Sequence, residues 1–397
     1  MSKWEWKKLG EVCDVIAGQS PQSSAYNSEG LGLEFHQGKK AFGKRVIQPS
    51  NVWTKEYSKI AKKGDILMSV RAPVGPVNFT DREICIGCGL AAIRKTGALD
   101  ENFLFYYFIN NESNMTSKAG AVFDSINRSD IQKFIIPVPP LSEQKRIVKF
   151  LDEEISKIET LKANAETNLK NAKELFETTL EKELNPLSRH SERSEESSAD
   201  LPSGWEWKKI GDFCETSSGG TPLKQHNEYY ENGNIPWLRS GEVCQKEIFE
   251  TEMYITQKGM ENSSAKYFPE NSVVVAMYGA TAGQVGIVRF RTTTNQAVCG
   301  IFPNEKYKTE YLYYALLSKK KELVAQAVGG AQPNISQIKI RNLQIPLPPL
   351  SVQKEIVARL DKLSENIKRL ETNYKQIIAN CDELKKSILK QTFQGGN

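Results

Sequence analysis

The sequence predicts a mixed α/β protein in which two similar globular domains are separated by an antiparallel pair of long coiled-coil helices, with a pseudo-two-fold internal repeat. Three observations predict this fold class. The same motifs occur twice, each copy ends in a long heptad pattern, and a polar segment joins the copies. The chain has 397 residues, enough for two or three domains.

The internal repeat is clearest at the two ends of each copy. WEWKKLGEVCDVIAGQSP (Trp4 to Pro21) returns as WEWKKIGDFCETSSGGTP (Trp205 to Pro222), and IIPVPPLSEQKRIVKFLD (Ile135 to Asp152) returns as QIPLPPLSVQKEIVARLD (Gln344 to Asp361). FLFYYF at 103–108 also matches YLYYAL at 311–316, whereas the centres, 22–61 and 223–268, show no convincing match. A duplicated scaffold with unlike centres would let one architecture bind two unlike targets.

Composition and the positions of Gly and Pro divide each copy into a globular part and a helix. We assign residues 1–141 and 205–350 to globular domains, because short apolar runs there alternate with Gly and Pro. Residues 142–184 and 351–397 are assigned to long helices with Ser142 and Ser351 as N-caps, and the Ser-rich, charged segment 185–204 to a solvated linker. The recurring Trp4, Trp6, Trp205 and Trp207 are expected to pack inside the domains.

Each predicted helix carries an apolar seam with alternating spacings of three and four residues, which is typical of a coiled coil. The seam of the second copy consists of Ile356, Leu360, Leu363, Ile367, Leu370, Tyr374, Ile377, Cys381, Leu384 and Ile388. The seam of the first copy consists of Ile147, Leu151, Ile158, Leu161, Ala165, Ala172 and Leu175. Because such a stripe needs a partner, we expect the two helices to pair with each other, antiparallel.

The motifs of several protein classes are missing from the sequence. No run approaches the roughly 18–20 apolar residues of a membrane span, and the N-terminus lacks a signal peptide's apolar core, so we expect a cytoplasmic protein. Seven scattered Cys predict reduced thiols, and the single CxxC, Cys85 and Cys88, with three dispersed His, gives no metal site. There is neither a P-loop nor an adenine-methyltransferase [DNS]-P-P-[YFW] loop, so we expect a non-catalytic chain.

The combination of motifs resembles a known family. Two unlike halves, each opened by W-x-W-K-K-[LI]-G-[ED] and closed by P-x-P-P-L-[SA]-x-Q before a long helix, resemble the specificity (S) subunits of type I restriction–modification enzymes. LPSGWEWKKIG, IPWLRSGEV and GGAQPNIS of the second copy strengthen the resemblance, which spans essentially the whole chain. The first copy differs from the second in having GAVFDSINRSDI at 120–131.

This resemblance implies a function and partners. Each globular half would be a target-recognition domain that reads one half of a split, asymmetric site in double-stranded DNA, and the helices would set the spacing. Two modification (methyltransferase) subunits and restriction (translocase/endonuclease) subunits would be the partners, with S-adenosylmethionine, ATP and Mg²⁺ on those subunits and no cofactor in this chain. The alternatives are a coiled-coil adaptor scaffold with peptide-binding domains and an enzyme with an unrecognised site.

Candidate DNA contacts follow from side-chain chemistry. Phosphate contacts need Lys or Arg, and base reading adds Asn, Gln and Arg; the modest net charge of +5 fits a weak preference for polyanions. In the first domain the candidates are Lys39, Lys40, Lys44, Arg45 and Arg71. In the second domain they are Lys224, Arg239, Lys246, Tyr278, Arg289, Arg291, Gln332 and Asn334.

Overall fold

The two copies of the repeat share the elements at their ends and differ in some of the elements between them. The computed structural model describes residues 4–57, 59–118, 121–122, 125–186, 201–325 and 334–394. Its contacts divide the chain into one unit of Met1–Glu166 with Lys375–Asn397 and a second unit of Thr167–Tyr374. Each unit therefore holds one globular domain and a portion of both long helices.

The first copy contains thirteen described strands and four helices. The strands are β1 (Glu5–Lys8), β2 (Cys13–Ala17), β3 (Tyr26–Asn27), β4 (Leu33–His36), β5 (Trp53–Thr54), β6 (Ile60–Ala61), β7 (Ile66–Ser69), β8 (Val77–Phe79), β9 (Ile84–Ile86), β10 (Leu90–Lys95), β11 (Ser117–Lys118), β12 (Ala121–Val122) and β13 (Ile135–Val138). The helices are α1 (Leu9–Val12), α2 (Glu101–Thr116), α3 (Arg128–Gln132) and α4 (Leu141–Leu184).

The second copy has eleven described strands and six helices, and its first and last elements correspond to those of the first copy. Its strands are β14 (Glu206–Lys209), β15 (Thr216–Ser218), β16 (Ile235–Leu238), β17 (Glu247–Ile248), β18 (Tyr254–Ile255), β19 (Tyr267–Phe268), β20 (Val273–Ala276), β21 (Val285–Val288), β22 (Thr292–Thr294), β23 (Val298–Ile301) and β24 (Gln344–Leu347). Its helices are α5 (Ile210–Phe213), α6 (Gln257–Glu261), α7 (Thr309–Ser318), α8 (Lys320–Ala325), α9 (Gln337–Asn342) and α10 (Leu350–Gln394).

Two sheets form the body of each domain, and all of them except β2-β10-β7-β8, which is antiparallel throughout, are mixed. In the first domain they have the orders β2-β10-β7-β8 and β3-β5-β4-β9-β6; in the second, β15-β23-β20-β21-β17 and β18-β16-β22-β19. All residues of β7 and β20 are buried, which is why these strands read as continuous apolar runs rather than alternating ones. The pairs β4–β9 and β16–β22 are parallel, so the chain leaves both strands of each pair at the same edge of the sheet.

The repeated end motifs of each copy meet in a two-stranded ladder. Strand β1 pairs antiparallel with β13, and β14 with β24, so Trp6 lies opposite Pro137 and Trp207 opposite Pro346. The expectation that all four repeated Trp pack inside the domains is wrong for Trp6 and Trp207, which are 49% and 42% exposed. Trp205, which lies just before β14, is buried.

The repeated Gln of the P-x-P-P-L-S-x-Q motif secures the start of each long helix. Gln144 is fully buried; its amide donates to the Pro139 carbonyl at 2.8 Å and accepts from the Asp100 N–H at 2.7 Å. Gln353 is also fully buried and makes the same contacts with Pro348 and Lys308. Each helix begins one residue earlier than expected, so the predicted serine N-caps are wrong and the preceding Pro carbonyl accepts the first helical hydrogen bond.

Within the first unit, the two long helices pair antiparallel. Glu159 accepts from Lys385 at 2.8 Å and Asp382 accepts from Lys162 at 2.6 Å. Residue numbers therefore increase along α4 in the direction in which they decrease along α10. Near the end of α10, Phe393 lies 5.4 Å from Phe103, centroid to centroid, and belongs to the core of the first domain.

Within the second unit, the beginning of α10 packs against the end of α4. Leu180 and Leu184 share a core with Ile356 and Leu360, and Arg359 donates to Glu183 at 2.9 Å. Several predicted seam positions of the two helices are buried, but others are wrong and lie exposed: Leu161, Leu175, Leu370 and Leu384. A strict seven-residue repeat drifts around a helix of 3.6 residues per turn, whereas the predicted seam positions Ala165 and Ala172 are buried.

Candidate nucleic-acid interface

A short turn follows the second strand of the parallel pair at the same place in both domains, at residues 87–89 after β9 and 295–297 after β22. In the first domain, Gly18 N–H donates to the Leu90 carbonyl at 2.9 Å and Gln19 N–H to the Ile86 carbonyl at 2.9 Å. In the second domain the same bonds run from Gly219 to Val298 at 3.3 Å and from Gly220 to Thr294 at 2.9 Å. The backbone on either side of this turn therefore has the same geometry in both copies.

Glycine is required at the first position of this contact. A Cβ placed on Gly18 would lie 2.1 Å from the Gly87 carbonyl oxygen, and one on Gly219 would lie 2.1 Å from that of Thr294. Neither backbone oxygen can yield as a flexible side chain would, so the repeated Gly allows two chain segments to touch. The frame is built from backbone, and it leaves the side chains around the turn free to differ.

In the first domain, polar side chains surround the turn at 87–89. Gln37 accepts from the Ser20 hydroxyl at 2.7 Å and donates to the Cys88 sulfur at 3.1 Å. The Ser20 hydrogen bond, joined by those of Gln37 and the charge of Arg71, holds the pKa of the Cys88 thiol below its ordinary value against the opposing effect of burial. Arg71 is exposed two residues after the end of β7, where its backbone bridges to Ser125.

In the second domain, the equivalent positions carry different side chains. Arg239 leaves the end of β16 and donates to Glu252 at 2.6 Å, while Glu242 accepts from the Arg239 N–H at 2.9 Å. Tyr278 is 39% exposed and bridges to Asn334 through backbone, as Arg71 does to Ser125. A cleft of about 870 Å³ opens beside Arg239, lined by Ser240, Gly241, Glu242, Cys244, Gln245, Ile248, Glu250, Thr251, Glu252 and Asn295.

The predicted lysines lie outside the network around the turn. Lys39 and Lys40 form a 3-10 turn after β4, and Lys40 and Lys44 are exposed. Lys224 is exposed in the second domain. Arg291 lies 3.8 Å over the Tyr267 ring, measured from the guanidinium carbon to the ring centroid. Gln332 lies outside the described residues.

Arg45 and Lys246, two of the predicted DNA contacts, take part in equivalent internal contacts. Arg45 donates to Tyr106 at 2.9 Å and to Asp152 of α4 at 3.1 Å, and Tyr106 donates to the same Asp152 oxygen. Burial, followed by the bond to Asp152, raises the pKa of Tyr106 to about 12.

The second domain repeats this arrangement with a lysine in place of the arginine. Lys246 and Tyr314 both donate to Asp361 of α10. The backbone equivalence is direct, since the Arg45 carbonyl accepts from Phe79 N–H and the Lys246 carbonyl from Ile287 N–H, both at 2.8 Å. We call each cation–Tyr–Asp group a helix anchor, because it ties a loop of the globular domain to a long helix.

Arg289 is likewise held by neighbours within its own domain. Its guanidinium donates to Glu247 and Glu310, both at 2.7 Å, and to Asn271 at 2.5 Å. With these partners occupied, the geometry favours a packing role for this side chain over DNA contact. Its predicted DNA contact, like those of Arg45 and Lys246, stays a prediction.

Comparison with known proteins decides the family. The model of the type I restriction modification DNA specificity domain matches residues 1–171 and 202–379. The chain belongs to this family. The chain is 26% identical over 392 residues to the type I restriction enzyme MjaIX specificity subunit of Methanocaldococcus jannaschii, covering 94% of this chain and 89% of that one. It is 43% identical over 153 residues to the putative MjaX specificity subunit of the same organism, a match that spans 37% of this chain and 36% of the relative.

Solved structures share the fold. A chain from a structure explaining complex assembly and conformational transition of the type I R-M system aligns with a TM-score of 0.77 at 20% identity, covering 100% of this chain and 98% of that one. The HsdS subunit of Thermoanaerobacter tengcongensis aligns with a TM-score of 0.58 at 20% identity, covering 100% and 97%. Together with the twice-matched family domain, these confirm the predicted fold class of two similar domains with paired long helices.

The candidates named from sequence missed three residues around the turn. Gln37, Cys88 and the exposed Gln296 were not among them, because none of the three carries the charge that singled out most of the candidates. Strand pairing, which places them around the turn, was needed to find them. Among the described residues, no three His, Cys, Asp or Glu side chains are grouped to hold a metal ion, and none of the described helices has the length and apolar content to span a membrane.

Proposed function

We propose that this chain is the DNA-specificity subunit of a type I restriction–modification enzyme and that it reads a bipartite, asymmetric site in double-stranded DNA. Each globular domain binds one half-site. Two modification subunits carry out methylation and restriction subunits carry out cleavage. S-adenosylmethionine, ATP and Mg²⁺ are bound by those partners, and this chain contributes recognition without catalysis.

The observation that carries this proposal is the repeated turn with unlike side chains. The two domains share one backbone frame, yet the exposed side chains around it are Gln37 and Arg71 in one domain and Arg239 and Tyr278 in the other. Two equal frames that present different donors and acceptors suit two different half-sites. Family membership supports DNA recognition over an adaptor scaffold with peptide-binding domains.

The experiment is a comparison of genome methylation with and without this gene in its host. The proposal expects one split adenine-methylated motif to disappear on deletion. Replacing residues 22–130 with the equivalent segment of a relative should change one half-site and leave the other unaltered. If both half-sites changed together, independent reading by two domains would be wrong.

A binding measurement separates the proposal from the adaptor alternative. A DNA-binding chain making six to ten phosphate contacts loses about 10³–10⁵-fold in affinity between 50 and 200 mM salt. The complete complex should show that steep salt dependence on duplex DNA. Salt-independent binding to a peptide, with none to duplex DNA, would favour the adaptor.

A further inference from the structure

We propose that each half-site is read by three structurally equivalent positions around the repeated turn: Gln37, Arg71 and Cys88 in the first domain, and Arg239, Tyr278 and Gln296 in the second. This inference rests on the proposed function and deepens it by naming the side chains that determine specificity. Sequence comparison alone does not pair Gln37 with Arg239, because both lie in the unmatched centres. Backbone hydrogen bonds pair them instead.

Three sets of backbone bonds establish the equivalence. Gly87 N–H donates to the His36 carbonyl at 2.8 Å, and Asn295 N–H donates to the Leu238 carbonyl at 3.0 Å. His36 and Leu238 are therefore equivalent, and so are the residues that follow them, Gln37 and Arg239. Val70 N–H donates to the Gly89 carbonyl at 3.0 Å, and Met277 N–H donates to the Ala297 carbonyl at 2.8 Å. Cys88 immediately precedes Gly89 and Gln296 immediately precedes Ala297, so these bonds pair Cys88 with Gln296.

The third set concerns the residues that follow β7 and β20. Ile126 N–H donates to the Val70 carbonyl at 3.0 Å, and Ile335 N–H to the Met277 carbonyl at 2.8 Å. Arg71 and Tyr278 come directly after these acceptors, and each forms the corresponding isolated bridge. All three positions of a domain thus lie on backbone that contacts one turn.

The side chains at these positions have the accessibility and chemistry that base reading needs. Their neighbours His36, Leu238 and Val70 are buried, whereas Gln37, Arg71 and Gln296 are exposed and Arg239 and Tyr278 are about two-fifths exposed. Gln can pair with adenine through two hydrogen bonds and Arg with guanine, while an aromatic ring offers apolar contact to a thymine methyl group.

Neighbouring side chains position these groups and leave them able to bind bases. Ser20 and Cys88 fix the Gln37 amide, which limits the entropy lost on binding. Arg239 is held by Glu252, whose side chain is 75% exposed, and such exposed ion pairs are weak enough for a guanine edge to replace. The exposed Lys40 and Lys44 follow Gln37 in the chain and suit phosphate contacts at the rim.

The test is methylation mapping in the native host, with the full chain and its partner subunits. Arg239→Ala should make one base pair of one half-site degenerate, with discrimination there falling about ten- to a hundred-fold. Gln37→Ala should do the same in the other half-site. Arg239→Lys should resemble Arg239→Ala, because lysine keeps the charge but lacks the planar fork that reads guanine.

Matched controls lie in the same domains. Lys63→Ala removes an exposed cation from the turn before β7, at the opposite end of that strand from Arg71, and Lys258→Ala removes one from α6. Both should leave the motif unaltered. The half-site read by the unmutated domain reports that each variant is folded and assembled.

Cys88 provides a second readout. Maleimide labelling of Cys88 in the complex should be slowed by a duplex carrying the mapped motif and unaffected by one with the first half-site scrambled. If the Arg239 and Gln37 variants lower methylation evenly at every sequence, or leave both half-sites unaltered, bases are read elsewhere and the inference is wrong. If deleting the gene leaves genome methylation unchanged, the proposed function itself has failed.

Discussion

The helix anchor of the first domain gives a prediction whose size follows from its geometry. Arg45 donates to Tyr106, Asp152 and Asn102, and its guanidinium carbon lies 5.3 Å from the Phe105 ring centroid. Removing the side chain with Arg45→Ala deletes charge-assisted hydrogen bonds and a cation–π contact. Because the Arg45 and Asp152 side chains are 38% and 46% exposed, we discount these interactions for solvent and expect a cost of about 2 kcal/mol.

A double-mutant cycle isolates the ion pair within this cost. Arg45→Ala and Asp152→Asn, alone and combined, should give a coupling free energy of about 1 kcal/mol, at the upper end for exposed pairs because Tyr106 bridges both groups. Hydrogen exchange of the amides at 41–48, measured by mass spectrometry in the full chain, reports the local opening free energy. Arg45→Lys should cost less than half as much as Arg45→Ala, since the second domain uses lysine with the same partners.

Two results would refute this reasoning. Non-contacting sites usually add within about 0.3–0.5 kcal/mol, so a coupling below that range would mean that Arg45 and Asp152 act independently. Equal effects of Arg45→Lys and Arg45→Ala would mean that the positive charge contributes nothing. In either case the repeated cation–Tyr–Asp group would not hold the loop to the helix.

Three further predictions concern His36, the cysteines and the repeated Gln. Burial lowers the pKa of His36 despite its contact with a carboxylate, so the stability that the neutral side chain contributes is lost as the pH falls through its ordinary pKa of 6.5. His36→Leu places the residue type of the second domain at this position, and it should reduce the change in the free energy of unfolding of the first domain between pH 7 and pH 5, measured in urea. At pH 8 the folded chain should react with a thiol reagent at Cys88 and Cys244, the two cysteines that are not buried, and peptide mapping showing early modification of the other five would contradict this. Gln353→Ala removes a fully buried amide and leaves the Lys308 N–H without its acceptor, so it should cost about 2–4 kcal/mol in thermal unfolding, as should Gln144→Ala. A loss below about 1 kcal/mol would show that the motif does not fix the helix start.

The sequence predicts the repeated scaffold well and the loops poorly, and the anchors show why. Two of the three anchor positions, Tyr106 with Tyr314 and Asp152 with Asp361, lie in segments that match between the copies. The third, Arg45 with Lys246, lies in the unmatched centres and differs in residue type, so the sequence does not pair these two residues. Only strand pairing, which joins residues distant in the chain, reveals that both cations serve the same purpose.

The helix seam shows a related limit. Heptad spacing identified two long helices, which the structure contains, yet Leu161 and Leu384 face solvent although they fit the spacing. Periodicity records which positions share a face of one helix, but it does not record where a neighbouring helix or a globular domain covers that face. Burial at each position depends on contacts from elements far away in sequence.

Phe393 has a consequence for the order in which the protein folds during synthesis. Its ring packs on Phe103 and Tyr107, so residues at the very end of the chain complete the core of the first domain. The second unit is continuous from Thr167 to Tyr374 and has all its residues as soon as that segment leaves the ribosome. The domain translated first is therefore finished last, and a premature stop codon between the codons for Tyr374 and Phe393 removes part of the core of the first domain while leaving the sequence of the second unit intact.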